Sequence, residues 1–363
     1  MTKVFLYYSL LFVLFVSCSR DTINNKICVI NADFKKNIDV NLSEIATSCK
    51  VVKLETTDKC LFSSVSNVCI TEKYIFILSK RVLQFTRKGK FIRFIGNTGR
   101  GPFEYNFINS FNCDMENERV YIASPPNILC YSFDGKPLFS IKQNNIIDFI
   151  GLQNNNLLLF YTKYERRNNS IFSNVQYLSR YNSEGKLIDS VKLKEIRQHG
   201  TWSATTIKKM HYVSNTFNGI FFYYPAWINE AVVRDTLYQI QNDKCTPSVK
   251  IDFEEKAPPP HNSNKKGIFI NNIFRTNRYL CADYFTFDKD HYFLCYDFMN
   301  NKQYNIKNGI NDDFNNTGKV FLNQLNTKDD YMYYVKDAFE VCDKIDGLTE
   351  ESNPVIFLVK LKD

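Results

Sequence analysis

One short pattern recurs along this chain: an apolar strand-like run, a polar turn ending in Gly-Lys, and a second strand-like run. The turns are centred on Gly89, Gly135 and Gly185, which lie 46 and 50 residues apart. Glycine readily adopts the positive φ that tight hairpin turns need, so each copy predicts a β-hairpin. Residues 237–251 and 293–306 keep the pattern without the glycine. Repeated hairpins at this period are typical of a β-propeller, in which each repeat is one four-stranded blade.

The sequence from residue 51 to residue 363 divides by this period into six blades, with seven as the alternative count. Phenylalanine and tyrosine are abundant, at 31 and 22 residues, which favours strands over helices. We expect the blades at residues 65–96, 108–142, 146–193, 205–253, 267–306 and 315–363. The final strand, Val355 to Leu361, needs a partner, and Val51 to Glu55 is the candidate. Pairing the two would close the ring and remove a free sheet edge.

The first residues predict an export signal. Lys3 precedes an apolar run from Val4 to Val16, which as a helix would span about 20 Å and is too short to cross a bilayer. Such a run between a positive residue and small residues is typical of a signal peptide. We therefore divide the chain into a signal peptide at 1–17, a tether and N-terminal segment at 18–50, and a propeller at 51–363.

The end of this run, Phe15-Val16-Ser17-Cys18, resembles a bacterial lipobox, with Phe15 where the pattern usually has leucine. The resemblance implies that Cys18 is lipidated and becomes the mature N-terminus, anchored to the cell envelope at the outer membrane. The alternative is ordinary signal cleavage nearby, which would leave Cys18 discarded or free.

Five further segments resemble the bacterial six-bladed β-propeller lipoproteins, relatives of the NHL-type propellers. They are Leu54-Glu55-Thr56-Thr57, Gly89-Lys90-Phe91 running into Ile95-Gly96, Gly99-Arg100-Gly101-Pro102 with Glu104-Tyr105, Asp235-Thr236-Leu237-Tyr238, and Asn353-Pro354-Val355. Phe103 departs from the family pattern, which usually has glycine there. The resemblance implies the fold and brings little mechanism with it.

Charge and composition argue against several classes of function. The formal net charge of +8 is spread along the chain without a basic stripe, so we expect no nucleic-acid partner. The cysteines form no Cys-x-x-Cys motif and the four histidines have no metal-ligand spacing. No Gly-x-Ser-x-Gly motif of a serine hydrolase occurs. We therefore predict no cofactor, no metal ligand and no catalytic residue, and we expect a monomer.

Two groups of residues are candidates for ligand binding. The turn from Gly96 to Gly101 lacks the Lys-Ser or Lys-Thr and the following helix of a phosphate loop. Arg100, Glu104 and Tyr105 in and after it are candidates for surface recognition, and the alternative is a purely structural turn between blades. Trp202 and Trp227 could form a stacking platform for sugars or peptides, or face inward.

These observations favour a binding or scaffolding module for a glycan, a peptide or an envelope protein. The alternative is a metal-dependent propeller hydrolase or lyase. Its ligands would come from different blades around the central channel, where sequence spacing cannot reveal them. Carboxylates or histidines converging on the channel would indicate an enzyme, whereas aromatic and amide side chains would indicate binding.

Overall fold

The structure is a computed structural model that describes residues 27–33, 35–166, 171–199, 212–225, 233–241, 244–253, 267–286, 288–325 and 330–362. Strands account for 60% of the residues and helices for 2%. The described strands form six sheets of four or five strands and two two-stranded pairs. The six larger sheets are the blades of a β-propeller, which confirms the predicted fold class and blade count. No described helix is long and apolar enough to span a bilayer.

Blades 1 to 3 are four-stranded antiparallel meanders in chain order. Blade 1 consists of Asn67–Ile70, Tyr74–Leu78, Val82–Thr86 and Phe91–Ile95. Blade 2 consists of Ser110–Asp114, Arg119–Ser124, Asn127–Ser132 and Pro137–Lys142. Blade 3 consists of Ile147–Gln153, Asn156–Arg166, Ile171–Tyr181 and Leu187–His199. The last strand of blade 3 runs past the predicted end at residue 193.

Blades 4 to 6 complete the ring. Blade 4 consists of Val213–Thr216, Gly219–Tyr223, Thr236–Gln241 and Lys244–Phe253, with Cys28–Ala32 as a fifth strand. Blade 5 consists of Ile268–Arg275, Tyr279–Thr286, His291–Asp297 and Lys302–Lys307. Blade 6 consists of Asn323–Gln324, Tyr331–Lys336, Val355–Leu361 and the N-terminal strand Ala46–Val52.

The short elements lie between the blades. Asn97–Thr98 pairs with Glu104–Tyr105, and Ile310–Asp312 pairs with Gly318–Val320. A single turn of 3₁₀-helix covers Leu42–Glu44, and a one-turn α-helix covers Ala338–Val341.

The two ends of the propeller pair as predicted. Ala46–Val52 runs antiparallel to Val355–Leu361, with Val51 opposite Phe357. The N-terminal partner begins at Ala46, five residues before the predicted start. Phe357 is buried and stacks on Tyr334 with ring centroids 4.5 Å apart. The ring is therefore held closed by both strand pairing and aromatic packing.

The strand Cys28–Ala32 was not predicted. It runs parallel to Lys244–Phe253 at the outer edge of blade 4 and covers that edge. Ile30 and Ala32 are buried in the core between blades 4 and 5. The chain then passes blade 5, where the Ile38 amide donates to the Asn305 carbonyl at 2.9 Å, before it reaches blade 6. The N-terminal segment thus runs along three consecutive blades.

The three Gly-Lys turns are hairpins, as predicted. Gly89, Gly135 and Gly185 have φ of +84°, +77° and +78°. Buried apolar clusters lie between neighbouring blades, as where Phe76 of blade 1 meets Phe111 of blade 2. Each blade therefore buries both faces, and the ring is a rigid frame for the loops at its ends.

Candidate functional site

A cavity of about 780 Å³ opens at one end of blades 1 to 4. Its walls come from the starts of the first strands, the turns between second and third strands, and the connection from blade 1 to blade 2. The volume lies in the range of small-molecule binding sites. We call it the face pocket. The residues used below to describe it are Asn67, Lys80, Arg81, Asn106, Phe107, Asn109, Asp148, Thr162, Tyr164, Gln176, Tyr212, Phe222 and Tyr224.

Three neighbouring strands of blade 3 place a polar cluster in the face pocket. Asp148 is the second residue of the first strand, Thr162 lies on the second strand and Gln176 on the third. The Thr162 Oγ1 lies 2.8 Å from the Asp148 Oδ2 and 2.7 Å from the Gln176 Oε1. The Gln176 Nε2 lies 3.4 Å from the same Asp148 oxygen. The hydroxyl has one proton for two acceptors, so a proton on Asp148 would complete this network.

The environment of Asp148 disfavours its charge. Burial of the carboxyl raises its pKa to about 6, and the hydrogen bonds from Thr162 and Gln176 offset only part of that effect. No lysine or arginine among the described residues pairs with it. The group therefore titrates near neutral pH, which is common for carboxyls at functional sites.

Aromatic side chains form the rim and one wall of the face pocket. Phe107, in the connection from blade 1 to blade 2, is 67% exposed, and Tyr164 is 59% exposed. Partial burial raises the pKa of Tyr164, and the charge of Asp148 adds to that shift. Tyr212, Phe222 and Tyr224 of blade 4 complete this apolar lining.

The blade 1 side of the face pocket carries positive charge. The Arg81 guanidinium lies 3.6 Å from the ring centroid of Phe94, and its Nη2 donates to the Gly96 carbonyl at 3.3 Å. Arg81 is thus fixed in place, whereas the neighbouring Lys80 is exposed. The turn from Ser79 to Arg81 also lines a second cavity of about 720 Å³, so one turn separates two cavities on this end of the ring.

Amide and hydroxyl side chains cross-link the first strands around the central channel. The Asn112 Nδ2 of blade 2 donates to the Ile150 carbonyl of blade 3 at 2.8 Å. Ser214 of blade 4 donates to the Gln324 Oε1 of blade 6 at 2.9 Å. The Asn215 Nδ2 donates to a carbonyl of blade 3 at 2.9 Å. Among the described residues, no three histidines, cysteines or carboxylates converge as a metal site would require.

The glycine-rich turn is braced from within. Glu104 is exposed, and its carboxylate accepts a hydrogen bond from the Gly101 amide at 2.8 Å. Tyr105 is 1% exposed, and its hydroxyl donates to the Ile95 carbonyl at 2.8 Å. Arg100 is exposed. The structure thus gives Tyr105 a packing role beneath the turn and leaves Arg100 and Glu104 at the surface. None of the three lines the face pocket.

The other predicted binding residues, Trp202 and Trp227, lie outside the described residues, as does Cys18. The face pocket was missed because its polar cluster comes from three strands, and no single stretch of sequence shows it. The one local signal was Phe107, an aromatic residue in a polar interblade loop.

A family model described as a domain of unknown function, DUF4934, matches residues 25–360. The chain belongs to the DUF4934 family. This membership covers the whole ring and names no activity. No curated protein matches the chain.

One solved structure supports the fold of this DUF4934 member, and two others are more distantly similar. A candidate exported protein from Bacteroides fragilis superposes with a TM-score of 0.70 at 21% identity, covering 92% of this chain and 100% of that chain. A protein of unknown function from Bacteroides caccae superposes with a TM-score of 0.35 at 11% identity, covering 72% of this chain and 78% of that chain. An extracellular domain of a B. thetaiotaomicron one-component system superposes with a TM-score of 0.37 at 13% identity, covering 80% of this chain and 31% of that chain. At these identities the first likeness establishes the fold alone.

The raised pKa of Asp148 predicts how stability depends on pH. The folded protein holds this proton up to about pH 6, whereas the unfolded chain loses it near the ordinary carboxyl pKa of 3.8. Stability from this group is therefore fully present below that lower value and is lost as pH rises through 6. The free energy of unfolding of Asp148→Asn, relative to that of the wild type, should therefore rise by up to about 3 kcal/mol between pH 4 and pH 7. Urea unfolding of both proteins across this range checks it, and a constant difference would contradict it.

Proposed function

We propose that this chain is a lipid-anchored binding module of the bacterial envelope, and that the face pocket recognises a glycan, a peptide or an envelope protein. One observation supports this most directly. Two exposed aromatic side chains, Phe107 and Tyr164, stand beside the Asp148 cluster in a large pocket of a rigid ring. Exposed aromatic area next to fixed polar groups is the usual composition of a binding site.

The lining of the face pocket favours binding over hydrolysis. Most glycoside hydrolases use two carboxyl groups across the scissile bond, and among the described lining residues Asp148 is the only carboxylate. The amide side chains around the central channel also favour binding over hydrolysis. The second candidate is a hydrolase or lyase, and the observation that favours it is the Asp148 pKa of about 6, which suits a general acid.

Binding through the pocket can be tested with a double variant, Phe107→Ala with Tyr164→Ala. We expect the wild type to bind at least one of three probe classes saturably: envelope glycans, a peptide library or purified outer-membrane proteins. The double variant should lose that binding. Phe217→Ala is the matched control, because Phe217 is 73% exposed and follows the first strand of blade 4 at the end opposite the pocket-lining Tyr212. Equal binding by wild type and double variant would contradict the proposal, and a cleaved probe would support the enzyme.

The anchor is a separate part of the proposal, as is kinship with NHL-type propeller lipoproteins. Cys18→Ala should move the protein from the membrane fraction to the soluble fraction and abolish labelling by a fatty-acid analogue. Each buried methylene of an acyl chain contributes about 0.8 kcal/mol, so losing the chains removes most of the membrane affinity. Cys28→Ala is the matched control. A Cys18→Ala protein that stays in the membrane fraction would rule out this anchor.

A further inference from the structure

We propose that the face pocket takes a neutral oligosaccharide, with Phe107 and Tyr164 stacked on sugar rings and the Asp148 cluster bonded to sugar hydroxyls. This inference rests on the proposed function and names the class of ligand for the same site.

The aromatic side chains provide surfaces for sugar rings. Phe107 and Tyr164 belong to different parts of the ring, the interblade connection and the second strand of blade 3, yet both line one cavity. Each is more than half exposed. A pyranose presents apolar C–H groups on its faces and hydroxyls around its edge. An aromatic surface beside polar side chains matches that division.

The polar lining matches hydroxyl groups. A sugar hydroxyl is both a donor and an acceptor, so its site needs both kinds of partner. The Asp148 carboxylate accepts, and the amides of Asn67, Asn106, Asn109 and Gln176 can do both. These groups lie on several sides of the cavity, because they come from blades 1 and 3 and from the connection between blades 1 and 2.

The charges of the lining argue against ionic ligands. An anionic ligand would approach Asp148, and the Arg81 guanidinium is already engaged with Phe94 and the Gly96 carbonyl. A cationic ligand would approach Lys80 and Arg81. The two signs come from different blades that line one pocket, blade 1 and blade 3, which suits a ligand without net charge. The pocket walls are also side chains and turns rather than an open strand edge, so peptide addition by strand pairing has no template there.

The test measures binding of the full chain to defined oligosaccharides by calorimetry. The probes are neutral hexamers of glucose, xylose, mannose and N-acetylglucosamine, an anionic galacturonate hexamer, a cationic glucosamine hexamer and a set of decapeptides. We expect saturable binding to at least one neutral hexamer. Phe107→Ala and Tyr164→Ala should each weaken it about tenfold, and Asp148→Asn by about tenfold or more. Tyr164→Phe should stay within about threefold, since it keeps the ring. Phe217→Ala should bind as the wild type does.

Other outcomes would overturn the inference in distinguishable ways. Pocket-dependent binding of peptides or charged hexamers, with none of neutral hexamers, would overturn the carbohydrate assignment and leave the binding module standing. Neutral hexamers bound equally by all variants would show a carbohydrate site elsewhere and overturn the pocket. Absence of binding to every probe would overturn the carbohydrate inference, while the outer-membrane proteins in the earlier test would still decide the broader proposal.

Discussion

Asn353→Ala is expected to lower the free energy of unfolding by about 3 kcal/mol or more. Asn353 is 0% exposed, and its Nδ2 donates to the carbonyls of Glu55 and Cys60 at 2.8 and 3.0 Å. Its Oδ1 accepts from the Phe62 amide at 2.8 Å. Alanine would leave the Cys60 carbonyl and the Phe62 amide without this partner, and the Glu55 carbonyl would keep only the Cys60 thiol at 3.1 Å; each unsatisfied buried group costs about 1–3 kcal/mol.

The position of Asn353 explains why the effect should reach the whole ring. Asn353 lies just before the strand Val355–Leu361. Its side chain binds the segment that leads from the partner strand, Ala46–Val52, into blade 1. Its own amide donates to the Thr56 Oγ1 at 2.9 Å. Alanine would keep this backbone bond but remove the three side-chain bonds, which loosens the connection between the two chain ends, so both the pairing that closes the ring and the first blade lose support.

Urea unfolding measures the effect. Asn353→Asp should be at least as destabilising, because it removes both donors and turns an oxygen toward two carbonyls. Asn144→Ala is the matched control: Asn144 is exposed, and such surface changes usually stay within about 0.5 kcal/mol. If Asn353→Ala matched this control, the hydrogen bonds of Asn353 would contribute nothing to ring closure.

The family-like segments at the two ends of the chain were visible in the sequence, but their relation was not. Leu54-Glu55-Thr56-Thr57 and Asn353-Pro354-Val355 carry the resemblance as separate motifs. The structure joins them through the bond between Asn353 and Thr56, 297 positions apart. Local patterns predicted the hairpins, because turns and alternation are local properties. A side chain that ties distant backbone groups together leaves no such pattern.

The same distinction explains what the prediction of the fold missed. Six blades and ring closure followed from a period and from an unpaired final strand. The strand Cys28–Ala32 has neither a turn nor a neighbour in sequence, because it pairs with residues near 250. It could not be recognised without the sheet edge that it covers.

The candidate site was less predictable than the fold. Asp148, Thr162 and Gln176 are unremarkable in their own stretches of sequence, and only the adjacency of three strands makes them a cluster. Tyr105 attracted interest as part of a glycine-rich motif, yet it is buried. Phe107, two residues later, is one of the two exposed aromatic residues of the pocket. Residues two apart in a strand share a face, but the strand Glu104–Tyr105 ends at Tyr105, so Phe107 is not bound to the same side and the two aromatic residues can have opposite roles.

Gly89→Ala is expected to destabilise the protein by about 3 kcal/mol or more, whereas Gly318→Ala should cost about 1–2 kcal/mol. The two glycines have the same φ of +84°, so they share the backbone cost of a left-handed residue, about 1–2 kcal/mol. They differ in the room available for a Cβ atom. A Cβ at Gly89 would lie 1.8 Å from the Lys53 carbonyl oxygen, whereas at Gly318 it would meet nothing within 4 Å.

The clash at Gly89 cannot be relieved by rotating a side chain, because the obstructing atom belongs to the backbone. Moving that backbone would also strain the bond from the Glu55 amide to the Gly89 carbonyl, which is 2.8 Å long. Overpacking of this kind typically adds about 1–3 kcal/mol, which sets the expected difference between the variants. Urea unfolding of both variants isolates that difference, since the φ cost cancels. Equal losses of stability in the two variants would mean that φ alone makes Gly89 necessary. The contact between the turn at Gly89 and Lys53, which follows the strand Ala46–Val52, would then not be a tight one.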